Sequence, residues 1–163
     1  MHVISIVGKH NIGKTYLLEQ MIPKLIKKYQ IAVIKHTIHE IKKDEKGTDT
    51  YRLSKAGSNL TAIISDHELS LSLKEKKVDL NQIIAVFEKL NPNIDILFLE
   101  GYKKEPYPKI IIIDDLDYIN QFIDEEIILI VSKNIELLKG DILNFNDIDM
   151  ILTRIEKYIK KSK

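Results

Sequence analysis

The 163-residue sequence predicts an α/β domain built on a mostly parallel sheet flanked by helices, and three observations carry that expectation. Short apolar runs rich in β-branched residues recur along the chain, of the kind needed by strands buried on both faces. The first two of these runs bracket an amphipathic segment, so the chain opens as strand, loop, helix, strand, a unit that favours parallel pairing with a right-handed crossover. Finally, 44% hydrophobic residues in an 18.9 kDa chain supply one core without help from disulfides. Residues 1–163 are therefore expected to form a single domain.

Each element follows from local pattern. His2 to Val7 reads as a central buried strand. From Thr15 to Tyr29, Leu17, Leu18, Met21, Ile22, Leu25 and Ile26 share one helical face, with Pro23 expected to kink or loosen the helix. Ile31 to Ile34 is a second buried strand. Residues Thr37 to Thr48 form a long polar loop with little periodicity, and Asp49 to Ala56 a short helix stopped by Gly57. Asn59 to Ile64 and Glu68 to Leu73, joined by Ser65, Asp66 and His67, predict a small hairpin extension attached to the sheet edge. Asp79 caps a helix running to Leu90, which Asn91, Pro92 and Asn93 end. Ile94 to Leu99, Lys109 to Ile113 and Ile127 to Val131 complete the strands. A last helix is expected from about Asn146, with Asp149 completing an approximate capping box, fading into a Lys-rich tail.

Composition excludes several function classes. Without Cys there is no thiolate zinc site, iron-sulfur cluster or thiol nucleophile. Lys and Arg number 25 against 24 Asp and Glu, so no global field favours nucleic acid or an anionic membrane, and any anion must be held locally. No apolar stretch reaches the roughly 20 residues that span a bilayer, and Met1 to Val7 lacks the character of a signal peptide. A soluble cytoplasmic protein is expected.

Gly8, Lys9, His10, Asn11, Ile12, Gly13, Lys14 and Thr15 satisfy the phosphate-loop pattern G-x-x-x-x-G-K-S/T, between the first strand and the first helix. Such a loop can ring a triphosphate with backbone N–H groups because its glycines allow unusual dihedrals and close approach. The helix starting near Gly13 adds its positive end. Lys14 is placed to reach the β and γ phosphates and the Thr15 hydroxyl to ligate Mg2+. Ile96 to Leu99 deliver Glu100 to a strand end, where a carboxylate can face the nucleotide's Mg2+. Asp95, at the opposite end of that strand, reads as a loop cap or solvated charge. In open α/β sheets ligands sit beyond the carboxyl ends of the strands, so Lys35, His36, His39, Asp44, Asp49 and Arg52 are expected on the phosphate-loop side. His36 and His39 lack a third ligand at recognisable spacing, which leaves hydrogen-bonding histidines ahead of a zinc pair. Arg52 either pairs with Asp49 along its helix or contacts phosphate or a partner.

Together these motifs resemble the molybdopterin-guanine dinucleotide biosynthesis accessory proteins, the MobB family of P-loop GTP-binding proteins. The resemblance rests on the N-terminal P-loop, on Val33-Ile34-Lys35-His36 followed by His39, on Gly47 to Arg52 and Ala56-Gly57, and on Leu99 to Lys103 leading to Pro108-Lys109-Ile110. It implies a Rossmann-like P-loop NTPase fold, a homodimer, and slow hydrolysis of GTP with Mg2+. It further implies a role assisting the nucleotidyltransferase that joins GMP to molybdopterin. Gly13, Lys14 and Thr15 match the family's phosphate and Mg2+ loop, Glu100 with Gly101 its acidic strand-end motif, and Asp49 and Arg52 its motif after the second strand. Ile38 stands where the family often has a His, and Lys42 where an acidic residue is common. Lys9 takes the place of the signature lysine of deviant-Walker ATPases, which reaches a partner's nucleotide across a dimer.

The leading expectation is a weak Mg-dependent GTPase that binds through Gly8 to Thr15, Lys35, Asp49, Arg52 and Gly101. Lys14 and Glu100 are its catalytic pair, and Thr15 and Glu100 its metal ligands. The alternatives are a small-molecule P-loop kinase, disfavoured because Arg52 and Arg154 are the only arginines, and a non-catalytic nucleotide-binding adaptor. Ser132-Lys133-Asn134 lies where a guanine-reading loop often lies but is not Asn-Lys-x-Asp, so guanine rests on the resemblance.

Overall fold

The computed structural model describes residues 1–37, 41, 46–74 and 78–161. It divides into two compact units, Met1–His36 with Asn91–Lys163, and Thr37–Leu90. In the first unit six strands form one sheet: β1 (His2–Val7), β2 (Ile31–Lys35), β5 (Ile96–Glu100), β6 (Lys109–Ile113), β7 (Ile127–Ser132) and β8 (Ile142–Asn144), with β3 and β4 reserved for the second unit. Their order is β2-β5-β1-β6-β7-β8, and every pairing is parallel. β1 is thus central, as its apolar character predicts.

Period-two alternation sorts the strand side chains between two cores. Ile4, Ile6, Ile96, Phe98, Ile110, Ile112, Leu129 and Val131 pack with Leu17, Leu18, Met21 and Leu25 of α1 (Lys14–Leu25) and Ile151, Ile155 and Ile159 of the C-terminal helix (Ile148–Lys161). Val7, Ile111 and Ile113 face the other way, against Tyr118 and Phe122 of a 3-10 segment, Asp117–Phe122. Each fully buried aliphatic or aromatic side chain contributes about 1.5–3 kcal/mol, so these two layers hold the sheet. Ion pairs Lys24–Asp149 (2.6 Å) and Lys28–Glu156 (2.8 Å) tie α1 and the turn after it to the C-terminal helix at the surface, where such pairs add little. Lys109 is fully buried, yet its ammonium is satisfied by the carbonyls of Glu105 and Tyr107 and the Glu125 carboxylate.

Several boundaries differ from the sequence expectation for identifiable reasons. α1 ends at Leu25 rather than Tyr29 and runs through Pro23, with the Ile26 N–H still donating to the Ile22 carbonyl (3.0 Å). Asp95 lies outside β5 because its carboxylate accepts from the Gln30 N–H (2.8 Å), the loop-capping role expected for it. The C-terminal helix is capped by Asp147, whose carboxylate accepts from the Met150 N–H (3.1 Å), instead of by Asn146. β8 went unanticipated because three residues are too short for a periodic signal.

The second unit holds α2 (Asp49–Lys55), β3 (Leu60–Ile64), β4 (Leu69–Leu73) and α3 (Leu80–Leu90). Asp79 caps α3 through the Asn81 N–H (2.8 Å), as expected. The hairpin forms, but as a two-stranded antiparallel sheet of its own, not hydrogen-bonded to the edge of the six-stranded sheet. Most of the polar loop, residues 38–40 and 42–45 with His39 and Asp44, lies outside the described residues. No helix of the described residues is long and apolar enough to cross a membrane. With α1, α2 and α3 assigned, the C-terminal helix is α4.

Candidate functional site

The phosphate loop connects β1 to α1 at the carboxyl edge of the sheet, where parallel strands deliver ligand-binding groups. Its shape requires its glycines. A Cβ on Gly8 would stand 2.8 Å from the Ile112 carbonyl oxygen and from Ile12 Cγ2. Gly13 has φ +112°, a conformation that side chains rarely adopt, and Asn11 is left-handed at φ +57°. Ile12 packs down against the core and anchors the loop, while Lys9, His10 and Asn11 stay exposed.

Strand register brings the charged groups together. Ile6 pairs with Glu100 and Lys35 pairs with Glu100, so β1, β5 and β2 end in one row. In that row the Thr15 hydroxyl donates to Glu100 Oε1 at 2.8 Å. The Lys35 ammonium donates to the same carboxylate oxygen and to Thr15 Oγ1, both at 2.9 Å. Glu100 is only 6% exposed, so its charge is shielded from solvent and directed at these partners. The Thr15 and Glu100 oxygens stand side by side at this strand end, hard donors of the kind that suit Mg2+. Among the described residues no three His, Asp or Glu side chains gather as a further metal cluster.

Lys14 curls over the loop and donates to the carbonyls of Gly8 (3.0 Å) and Lys9 (2.6 Å). Burial holds its pKa below the usual lysine range, with Lys35 pushing in the same direction and Glu100 opposing. Beyond Glu100 the chain turns through Gly101 (φ +97°) and Tyr102 (φ +51°), and the Gly101 N–H donates to the Ile6 carbonyl (3.0 Å). The His36 ring lies 5.2 Å from the Tyr102 ring, and burial pushes the Tyr102 phenol up. Asp49 and Arg52 belong to the other unit, where they pair with each other at 3.4 Å, both exposed.

Three features of the loop's surroundings were not read from the sequence. Lys9 pairs with Asp114 (2.7 Å) and with Asp115, directly after β6, and these bonds raise its pKa while lowering that of Asp115. Two acidic residues ending the strand beside β1 were the signal for that pairing. On the same flank, the Lys133 ammonium lies 4.4 Å from the centroid of the Phe145 ring and 5.9 Å from that of Tyr16. Tyr16 and Phe145 stack with centroids 6.0 Å apart and 14° between planes.

Known proteins resemble this chain in sequence and fold. The family model described as molybdopterin guanine dinucleotide synthesis protein B matches residues 3–133. A relative from Methanocaldococcus jannaschii is 34% identical across 98% of this chain, which spans only 63% of that relative's length. The molybdopterin-guanine dinucleotide biosynthesis adapter protein of Haemophilus influenzae is 29% identical over 96% of this chain and 89% of its own. The crystal structure of Bacillus subtilis MobB superposes with a TM-score of 0.77 at 26% identity, covering 94% of this chain and 98% of the other.

Proposed function

Because this chain belongs to the molybdopterin guanine dinucleotide synthesis protein B family, we propose that it is a GTP-binding adapter in molybdenum cofactor biosynthesis. Its task in this reading is to assist the nucleotidyltransferase that attaches GMP to molybdopterin. The observation that carries the nucleotide part is the convergence of Thr15 and Glu100 at the mouth of a loop held open by Gly8 and Gly13.

Backbone N–H groups of Gly8 to Thr15 cradle the phosphates, and Lys14 exchanges its two carbonyl partners for phosphate oxygens. Thr15 and Glu100 hold Mg2+, which supplies charge neutralisation on the phosphates when bound. Lys35, next to both oxygens, adds a second cation, and Gly101 gives the chain room to turn away. Asp49 and Arg52, the family's motif after the second strand, are the other unit's candidates for contacting a partner.

Turnover is slow in this reading. Glu100 is committed to a hydroxyl and an ammonium, which leaves it poorly placed to activate water, so the transferase completes the site. The family's guanine dinucleotide product supports GTP over ATP. Exposed Leu60, Ile63, Ile64, Leu69 and Leu71 on the hairpin support a homodimer. The near-neutral charge gives no global field toward nucleic acid or an anionic membrane, in keeping with a protein that engages neither.

Calorimetric titration with GTP and with ATP in Mg2+, alongside Lys14→Ala, tests the assignment. The expected result is GTP binding at least about tenfold tighter than ATP and lost in the variant, a gap near 1.4 kcal/mol. Equal or ATP-favoured binding would overturn guanine selectivity. Single-turnover hydrolysis with and without the transferase separates a GTPase from an adapter that only carries GTP.

A further inference from the structure

We propose that Lys133 and Tyr16 form the nucleoside end of this site, contacting sugar and base and leaving the phosphates to the loop. The inference rests on the nucleotide-binding reading above and deepens it.

Sheet order gives the direction. β5 and β2, which deliver Glu100 and Lys35, lie on one side of β1, while β6, β7 and β8 lie on the other. A nucleotide with its terminal phosphates at Thr15, Glu100 and Lys35 therefore extends its sugar and base toward β7 and β8. Lys133 follows β7 and Phe145 follows β8, on that flank. A Cβ built on Gly13 would lie 2.9 Å from Lys133 Nζ and 3.1 Å from Phe145 Cζ, so both side chains abut the loop itself.

The chemistry fits a nucleoside. The Lys133 ammonium rests on aromatic faces, and none of the ion pairs among the described residues includes it. A cation beside the N-terminus of α1 opposes the helix dipole, and donating to an acceptor on sugar or base gives its N–H groups a partner there. The Tyr16 ring is half exposed and held flat against fully buried Phe145, a ready face for stacking.

The segment is also built in advance. The Ser132 hydroxyl donates to the Ile113 carbonyl (3.0 Å) and accepts from the Asn134 N–H (3.0 Å), and the Asn134 side chain accepts from the Glu136 N–H (3.0 Å). The Phe145 N–H closes the set by donating to the Ser132 carbonyl (2.9 Å). Lys133 thus projects from a turn whose neighbours are fixed on both sides.

Two probes test the assignment by calorimetry in Mg2+: GTP, and inorganic tripolyphosphate, which carries the phosphates without a nucleoside. Lys133→Met and Tyr16→Ala are each expected to weaken GTP by about tenfold or more, the worth of a hydrogen bond to a charged group or a stacked ring, with tripolyphosphate unchanged. Lys133→Arg, which keeps a cation on the rings, is expected to recover most of the GTP affinity. Equal loss for both probes would move Lys133 to the phosphates and overturn the proposal, as would unchanged GTP affinity in both variants. If the wild type bound neither probe, the nucleotide reading itself would fail. Wild-type GTP binding that is lost in Lys14→Ala but intact in Lys133→Met and Tyr16→Ala would sink only this proposal. Thermal melts of both variants establish that they fold, and Tyr16→Ala carries the test if Lys133→Met does not.

Discussion

Replacing Glu100 by Gln keeps the side-chain shape and removes one negative charge from a carboxyl that is almost wholly enclosed. In the wild type that carboxylate accepts from the Thr15 hydroxyl at 2.8 Å and from the Lys35 ammonium at 2.9 Å. Hydrogen bonds to a charged group are worth about 1.5–3 kcal/mol each. Two effects reduce the loss: the Gln carbonyl still accepts one of these bonds, and Lys35 is exposed, so water takes up its ammonium. The net destabilisation is about 1–2 kcal/mol, a fall of about 2–8 °C in Tm for a chain of this length. Binding responds with two signs. Without metal, removing a negative charge beside Lys14 and Lys35 strengthens the hold on polyphosphate. With Mg2+, the wild type gains GTP affinity through Thr15 and Glu100, and the variant loses about tenfold or more of that gain. The assay is calorimetric titration with GTP in Mg2+ and in EDTA for both proteins, beside thermal melts. A variant in which Mg2+ raises GTP affinity as much as it does in the wild type would refute the reasoning, because Glu100 would not then be the metal's carboxylate.

Gly13→Ala places a Cβ 2.9 Å from Lys133 Nζ at a φ of +112°, so a loss of roughly 1–3 kcal/mol is expected, read as a Tm lower by about 2–12 °C; an unchanged Tm would contradict the conformational argument. Burial holds the Lys14 pKa below 10.5 and phosphate favours its charged form, so GTP binding weakens as the pH rises through that depressed value. Proton uptake on binding at alkaline pH, measured calorimetrically in buffers of different ionisation enthalpy, checks it, and the ligand-free protein should gain stability over the same rise as the buried charge is relieved. Asp115 is held below its ordinary 3.8 chiefly by the hydrogen bond from Lys9, so the stability this pair adds is present above 3.8 and lost as the pH falls through the depressed value. Thermal melts of wild type and Lys9→Ala should converge in that acid range, and a gap that stays constant with pH would show that the pairing is not what separates them.

Much of the site was legible because it is written in strand ends. β1 leads into the loop, β5 into Glu100 and β2 into Lys35, and apolar runs mark each strand clearly enough to place the residue that follows. Parallel pairing then puts those residues in one row without further information. The other flank was harder. Lys133, Tyr16 and Phe145 come from three distant stretches, and the element that positions Phe145 is the three-residue β8, invisible to periodicity. The Lys9 partners lie in the acidic stretch that follows β6, where composition does not say which carboxylate faces the loop. The hairpin is legible from alternation, but alternation does not say what a strand pairs with beyond its own turn, and β3 and β4 form a two-stranded sheet of their own.

On the proposed reading, the two flanks of the loop would let a chain of net charge +1 select a polyanion. Lys14 and Lys35 face one buried carboxylate, Glu100, so the β2 and β5 flank keeps one positive charge in excess and a pair of oxygens for a metal. Lys9, by contrast, is bound by two aspartates, which leaves the rim beyond β6 with a negative excess. Phosphates are drawn to the first and discouraged from the second, without any field reaching across the whole surface. Lys133 stands on the far side of the loop from Glu100 with aromatic rings instead of carboxylates around it, so it retains its hydrogen-bonding capacity for a ligand. On the proposed reading, the polarity of a bound nucleotide would follow from where the acidic residues sit: one carboxylate for the metal at the phosphate end, two that neutralise a lysine at the rim, and, among the described residues, none ion-paired with Lys133 at the end assigned to the nucleoside.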